Sequence, residues 1–223
     1  MGSAKRVMKY KGVIFDFNGT LFWDTELHDR AWDTFLKSHD IILTLEEKDQ
    51  KIHGKNNRDI LKGVFERELP DGEIEDLSLE KEDIYQDLCL KGNMELAPGA
   101  VDFFQFLKEA GVSFTIATAA NRYNVDFYFK HLDLGAYFDP YGIVCDDGSM
   151  MSKPNPEIFI RAMQQIEVSP EDILIFEDSV SGVAAAENSH ASGIIVVESV
   201  PGRHGKWPYQ VIRDFSEVDR SIF

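Results

Sequence analysis

Several polar residues of this 223-residue chain follow short apolar runs, the place where a buried strand ends and its last side chain meets solvent. Asp16 follows Val13-Ile14-Phe15, Thr118 follows Val112 to Ala117, and Glu177-Asp178 follows Ile173 to Phe176. Lys153 stands in the run Lys153-Pro154-Asn155-Pro156, whose two prolines stiffen the turn that presents it. A carboxylate nucleophile, a hydroxyl, an ammonium and two further acids are the set that phosphoryl transfer through an aspartyl-phosphate requires. Ligands of open α/β sheets bind outside the carboxyl ends of the strands, so the strand-end placement carries as much of the argument as the residue types.

The elements that must position these groups are legible as a pattern. Two more apolar runs, Ile143 to Cys145 before Asp146 and Ile194 to Val197 before Glu198, bring the candidate strands to five. Continuous short runs fit strands buried on both faces of a parallel sheet. Helical spacing between them covers Val101 to Glu109, closed by Gly111, then Pro156 to Ile166 and Val180 to Ser189. The gap after the first strand holds helical stretches instead: Thr25 to Ser38, Asn57 to Glu68, and roughly Ser78 to Lys91. The fold class is therefore α/β, a doubly wound, mostly parallel sheet core with an all-helical cap insert. Residues 8–22 and 97–223 form the core and 23–96 the cap, with hinges near 22–25 and 93–98, where Ala97-Pro98-Gly99 marks the return. Residues 1–7 read as a cloning tail outside the fold.

Composition sets the boundaries on function. Lys and Arg number 23 against 39 Asp and Glu, a formal charge of −16, which opposes binding to nucleic acid or to an anionic membrane. No apolar run reaches the ~20 residues of a membrane helix. Cys89 and Cys145 form neither a disulfide framework nor a zinc site. These features point to a cytoplasmic protein without nucleic-acid or membrane partners; taken with the strand-end groups, the expectation is a monomer whose partner is a small phosphorylated substrate.

The ordered motifs Asp16-Phe17-Asn18-Gly19-Thr20, Thr118, Lys153-Pro154-Asn155-Pro156 and Glu177-Asp178-Ser179-Val180-Ser181-Gly182 resemble the haloacid dehalogenase (HAD) superfamily. Ile52-His53-Gly54-Lys55 and the run from Lys153 to Phe159 resemble its β-phosphoglucomutase-like and small-phosphatase branch. The resemblance implies that Asp16 attacks phosphorus and that Lys153 neutralises the phosphoryl charge and keeps Asp16 ionised. It implies that Thr118, with the amides of Gly19, Thr20, Ala119 and Ala120, holds the phosphate. Mg²⁺ is implied on Asp16, the main-chain carbonyl of Asn18 and Asp178, with Glu177 bound directly, bound through water, or only anchoring Lys153. His28, Lys55, Asn56, Asn57 and Arg58 lie where cap segments of this branch reach the core, and Asn121 and Arg122 lie beside the phosphate. Each residue has an ordinary competitor: His28 as a surface residue of an amphipathic helix, His53 as a satisfied interior side chain, Thr118 as a helix cap. The acids from Glu66 to Glu82 read as a solvated helical face.

Asn18 departs from the family pattern, in which an Asp at this position is also the general acid/base. An amide exchanges no proton near neutral pH, and such help is worth ~10²–10⁴-fold. The residue is either an introduced Asp→Asn change or a natural variant. The reading is a phosphohydrolase. The alternatives are a sugar-phosphate mutase, or a degenerate domain that binds phosphorylated ligands without turnover. The mutases carry Arg where this chain has Asn57, with Arg58 shifted by one.

Overall fold

The computed structural model describes residues 9–52, 55–65, 67–200, 202 and 205–223. The core is a six-stranded, all-parallel sheet of β1 (Gly12–Phe15), β2 (Ser113–Asn121), β3 (Val144–Asp146), β4 (Ile173–Glu177), β5 (Gly193–Val197) and β6 (Gln210–Ile212), in the order β3-β2-β1-β4-β5-β6. From β1 the chain winds outward through β2 to β3, then returns to lay β4 on the other side of β1. That reversal opens a crevice at the carboxyl end of β1, where Asp16 stands.

Strand residues alternate between two unlike cores, as the two-residue period of a strand demands. Val13, Phe15, Leu174 and Phe176 face an aromatic layer completed by Phe103, Phe104 and Leu107 of the helix Ala100–Ala110. Ile14, Ile173, Ile175, Ile194 and Val196 face an aliphatic layer under the helices Glu157–Gln165 and Val180–Asn188. Phe15 and Phe176 are register partners and their rings stack at 5.3 Å, while Phe103 and Phe104 meet Phe15 edge-on.

Between β1 and the helix α5 (Ala100–Ala110) that leads into β2, the described residues form four helices: α1 (Thr25–Ser38), α2 (Leu45–Lys51), α3 (Asn57–Val64) and α4 (Asp71–Lys91). Trp32, Phe35 and Leu36 of α1 pack with Ile60, Leu61 and Val64 of α3 and with Ile74 and Leu77 of α4 in a separate core. The outgoing and returning chain segments are stitched together by a bridge between Phe22 and Leu96 and by the Ala97 amide on the Leu21 carbonyl at 2.7 Å. None of the helices is long and apolar enough to cross a membrane, among the described residues.

Several elements differ from the sequence reading. α4 starts at Asp71, seven residues before the expected Ser78, because Pro70 occupies its N-cap and Asp71 and Glu73 suit its first turn. α3 stops at Val64, and Phe65 is extended. The reading of the acids before Glu82 as a solvated face is corrected at Glu82 itself, which is buried, whereas Glu75, Asp76 and Glu80 are exposed. Three elements went unexpected: α2, β6 and the helix α6 (Arg122–His131) that follows β2.

Because Phe15 touches five other rings, Phe15→Ala should cost ~3–5 kcal/mol, whereas Ile42→Ala, at 91% exposure, should stay within ~0.5 kcal/mol. Denaturant unfolding of both variants checks the contrast.

Candidate active site

Asp16 lies one residue past β1 and is 5% exposed, with its amide on the Phe176 carbonyl of β4. Lys153 reaches it from the loop before the helix α7 (Glu157–Gln165), and its Nζ donates to Asp16 Oδ1 at 2.6 Å and to Glu177 Oε1 at 2.5 Å. Glu177 uses its other oxygen to accept the amides of Asp178 at 2.7 Å and Ser179 at 2.6 Å and the Ser179 hydroxyl at 3.1 Å. Both oxygens of Glu177 are thus held by protein donors, the arrangement of an anchor for Lys153. Gly182, in the first turn of the helix α8 (Val180–Asn188), leaves room for it: a Cβ there would sit 1.7 Å from Oε1.

Burial pushes the Asp16 carboxyl up to about 7 against the pull of Lys153, and the nearby Glu177 and Asp24 charges add to the rise. Burial opposes the Lys153 charge, but Asp16 and Glu177 outweigh it and hold the ammonium above the ordinary lysine range. Asp178 is raised well above the carboxylate range, by burial first and then by Glu177 and Asp16. Asp16, Glu177 and Asp178 each offer one oxygen within 4.8 Å of the others. With both Glu177 oxygens already held, Asp16 and Asp178 are the hard oxygen donors that suit a divalent cation such as Mg²⁺. Gly19, at φ 81°, brings the turn against Asp178, where a Cβ would lie 2.1 Å from Oδ2, and the Thr20 hydroxyl donates to Asp178 at 3.3 Å.

Asn18 belongs to a second network. Its Nδ2 donates to Asp24 Oδ2 at 2.6 Å and to the Tyr128 hydroxyl at 2.8 Å, and its Oδ1 accepts the Thr118 hydroxyl at 3.3 Å. Asp24 is fully buried and also accepts the Gly19 amide at 3.0 Å, the Tyr85 hydroxyl, and His28 Nε2 at 3.2 Å. Burial alone would raise Asp24, but His28 and the hydrogen bonds from His28, Tyr85 and Asn18 leave it below its ordinary value. The sequence reading missed Asp24, Tyr85 and Tyr128. The position of Asp24 just ahead of an amphipathic helix was the one available signal.

A cavity of about 120 Å³ lies over these groups, lined on the sheet side by Asp16, Asn18, Gly19, Ala119, Ala120, Lys153, Glu177 and Asp178. From the helical insert, His28, Lys55 and Asn57 line it as well, together with Lys81 and Glu82, which the sequence reading did not single out. Other expected residues do not line the cavity, although Thr118 reaches it through Asn18. Thr118 is 1% exposed, and its oxygen also accepts the Ala120 amide. Asn121 caps α6 through the Asn124 amide, and Arg122 donates to the Pro140 carbonyl. Asn56 caps α3 and binds the Ser152 hydroxyl through its amide, and Arg58 pairs with Asp71 on the outside. His53 and Gly54 lie outside the described residues.

A parallel sheet that gathers an aspartate, a lysine and two further acids at the ends of its central strands has the architecture of aspartate-based phosphoryl-transfer enzymes. The family model for haloacid dehalogenase-like hydrolases matches residues 10–190, and the chain belongs to that family. It is 30% identical over 184 residues to the phosphorylated carbohydrates phosphatase of Thermotoga maritima, covering 80% of this chain and 81% of that protein. Protein CbbY of Rhodobacter capsulatus is 28% identical over 200 residues, with 85% of each chain covered. Among solved structures, the family IA, variant 3 HAD hydrolase of Entamoeba histolytica matches with a TM-score of 0.78 at 27% identity, covering 95% of this chain and 96% of that one. The chain is accordingly an enzyme of a family that includes phosphatases of phosphorylated sugars.

The Asn18 network makes a stability test possible. Asn18→Asp would set a second carboxylate against Asp24 at the 2.6 Å now spanned by an N–H donor. The folded pair would keep a proton that the unfolded carboxylates release near their ordinary values, so the folded state binds more protons above about pH 4. Stability relative to the parent should therefore fall as pH rises, by ~1–3 kcal/mol at neutral pH. Urea unfolding of both proteins across the pH range reads this; a difference independent of pH would refute it.

Proposed function

We propose that the protein is a Mg²⁺-dependent phosphohydrolase that acts on a small phosphorylated metabolite through an aspartyl-phosphate on Asp16. The observation that carries the reading is the buried Asp16 carboxylate, 5% exposed yet lining the cavity and oriented by Lys153 at 2.6 Å. One carboxylate oxygen of Asp16 attacks phosphorus as the bond to the leaving-group oxygen breaks, and water then cleaves the acyl phosphate. Lys153 offsets the charge on the transferring group. Gly19, Ala119 and Ala120 line the cavity beside it, but the Gly19 amide already donates to Asp24 and the Ala120 amide to Thr118, so these two would have to exchange partners to bind a phosphoryl oxygen. Asp16, Asp178 and the Asn18 carbonyl would hold the cation, which when bound supplies charge neutralisation at the phosphoryl oxygens. Helices α1 to α4, residues 23–96, serve as the cap that closes the cavity and selects the substrate. The T. maritima relative, a phosphorylated carbohydrates phosphatase, supports a phosphorylated sugar. Two free thiols and a strongly acidic chain support a cytoplasmic setting.

Asn18 defines the kinetic signature. Its amide already donates to Asp24 and Tyr128, and it has no proton to exchange with the leaving group. Acyl phosphates need little protonation and should phosphorylate Asp16 readily, while hydrolysis lags for want of a base. Intact-mass analysis after mixing with acetyl phosphate and Mg²⁺ should show a burst of adduct that Asp16→Asn abolishes. Asn18→Asp should speed turnover by ~10²-fold or more, at the expense of the stability described above. A panel of phosphate esters completes the test; no adduct and no hydrolysis would overturn the reading.

Cation binding must displace the protons that burial keeps on Asp16, near 7, and on Asp178, also raised. Affinity for Mg²⁺ should therefore increase with pH, giving a larger rise in Tm at about pH 8 than at about pH 5.5. Equal shifts at the two values would count against carboxylate ligation.

A further inference from the structure

The wall of the cavity contributed by the helical insert carries a buried ion pair that the phosphoryl chemistry does not use. Lys81 and Glu82, adjacent on α4, are 1% and 3% exposed, and Lys81 Nζ lies 2.6 Å from Glu82 Oε1. The ammonium also sits over the Trp32 ring at 4.9 Å and the Tyr85 ring at 5.4 Å, so aromatic faces occupy its other sides. Asn57 of α3 donates to Glu82 Oε1 at 2.6 Å, and Asn124 of α6 donates to Oε2 at 2.6 Å. Asn124 is itself fixed by Gln86, whose Nε2 donates to its Oδ1 at 2.9 Å. Burial would raise Glu82, but Lys81, His28 and Asn57 hold it below the usual carboxylate value, so the group is an anion.

The cavity's basic side chains are committed in the same way. Lys153 is bonded to Asp16 and Glu177, His28 faces Asp24, and Lys55 places its Nζ on the Gln50 carbonyl at 2.6 Å. Arg58, one residue past Asn57, is drawn to Asp71 on the outer surface. A phosphate group at the Lys81–Glu82 wall would therefore meet an ionised carboxylate whose one ammonium neighbour among the described residues is already paired. Hydroxyl groups face no such repulsion. They can donate to the Glu82 carboxylate and pack on the Trp32 ring that also lines the cavity.

Resting on the phosphohydrolase reading, we propose that Glu82, locked by Lys81, Asn57 and Asn124, is a specificity determinant that accepts the uncharged, hydroxylated end of a sugar or polyol monophosphate and excludes a second phosphate. The enzyme is thereby a monoesterase for substrates bearing one phosphate, and a bisphosphate is a poor ligand at either end. Discrimination of this kind rests on repulsion built against the wrong ligand as much as on contacts to the right one.

The test compares fructose 6-phosphate with fructose 1,6-bisphosphate, and the best monophosphate of a sugar and polyol panel with its own bisphosphate, all with Mg²⁺. The native enzyme should favour the monophosphate in kcat/KM by about tenfold or more, mainly through KM, since one uncompensated buried charge contact is worth at least that factor. Glu82→Gln keeps the shape and removes the charge, freeing Lys81 to face the ligand, and the ratio should close or invert because the bisphosphate improves. Calorimetric binding of the same pairs to Asp16→Asn, with Glu82 in place, reads the distal wall without turnover and without the Glu82 variant having to fold. If no ester is hydrolysed, the phosphohydrolase reading fails, while a binding preference for the monophosphate still supports the distal assignment. A bisphosphate that binds or reacts as well as its monophosphate, or the absence of binding by every sugar and polyol monophosphate, overturns it.

Discussion

The rest of the structure is arranged around an electrostatic constraint: a carboxylate buried at the end of the central strand must be kept dry and still be held in place. Asp16, the nucleophile of the proposed reaction, meets it through Lys153, which stands between Asp16 and Glu177 with all three side chains nearly inaccessible. A buried ion costs several kcal/mol unless its partners and hydrogen bonds are all in place, and removing one partner is worse than never having had the group. That is why Glu177 has two backbone amides and a hydroxyl on its second oxygen, and why Gly182 has no side chain to crowd it. The same requirement fixes Ser179, which donates to Glu177 and caps α8 by accepting the Gly182 amide at 3.0 Å. Strand end, turn and helix start thus serve one lysine.

Charge balance also explains the amide at position 18. Asp16, Asp24, Glu177 and Asp178 already crowd this end of the sheet, with the Lys153 ammonium and the His28 ring in contact with them. A fifth carboxylate would face Asp24 across a hydrogen-bond distance. Asn18 instead supplies the N–H donor that Asp24 and Tyr128 accept, and offers its oxygen to Thr118. In this surrounding the amide is a matched member of a satisfied network. It follows that proton-transfer capacity and structural complementarity pull position 18 in opposite directions.

The fold and the sheet side of the site were legible because buried parallel strands announce themselves as apolar runs and their last residues are the ones that face the ligand. Asp16, Glu177 and Asp178 needed no more than that, whereas Lys153, in a loop, was marked by the two prolines that follow it and by the resemblance of that run to a family motif. Lys81 and Glu82 were hidden for a physical reason: they lie in a run of charged residues, among exposed neighbours such as Glu80, and only packing against α1, α3 and α6 buries them. Tyr85 and Tyr128 are 43 positions apart, and nothing local foretells the 3.1 Å bond between their hydroxyls. The short helix α2 is a different case. Its capping box, Thr44 and Glu47, stands in the sequence, but seven mostly charged residues carry no apolar face long enough to register.

Helix α4 joins the two halves of the site. Lys81 and Tyr85 are four residues apart and therefore share one face, with Glu82 beside them. Tyr85 from that face donates to Asp24, and Asp24 accepts from both Asn18 and the Gly19 amide of the nucleophile loop. Glu82, proposed to read the far end of the substrate, and Tyr85, which steadies the loop around Asp16 through Asp24, are thus carried by a single helix. A shift of α4 by even a fraction of a turn would move the Glu82 carboxylate along the cavity and at the same time draw Tyr85 from Asp24. Selection of the substrate and alignment of the nucleophile loop are consequently not independent properties of this fold, and a substitution on α4 that alters one should be felt at the other.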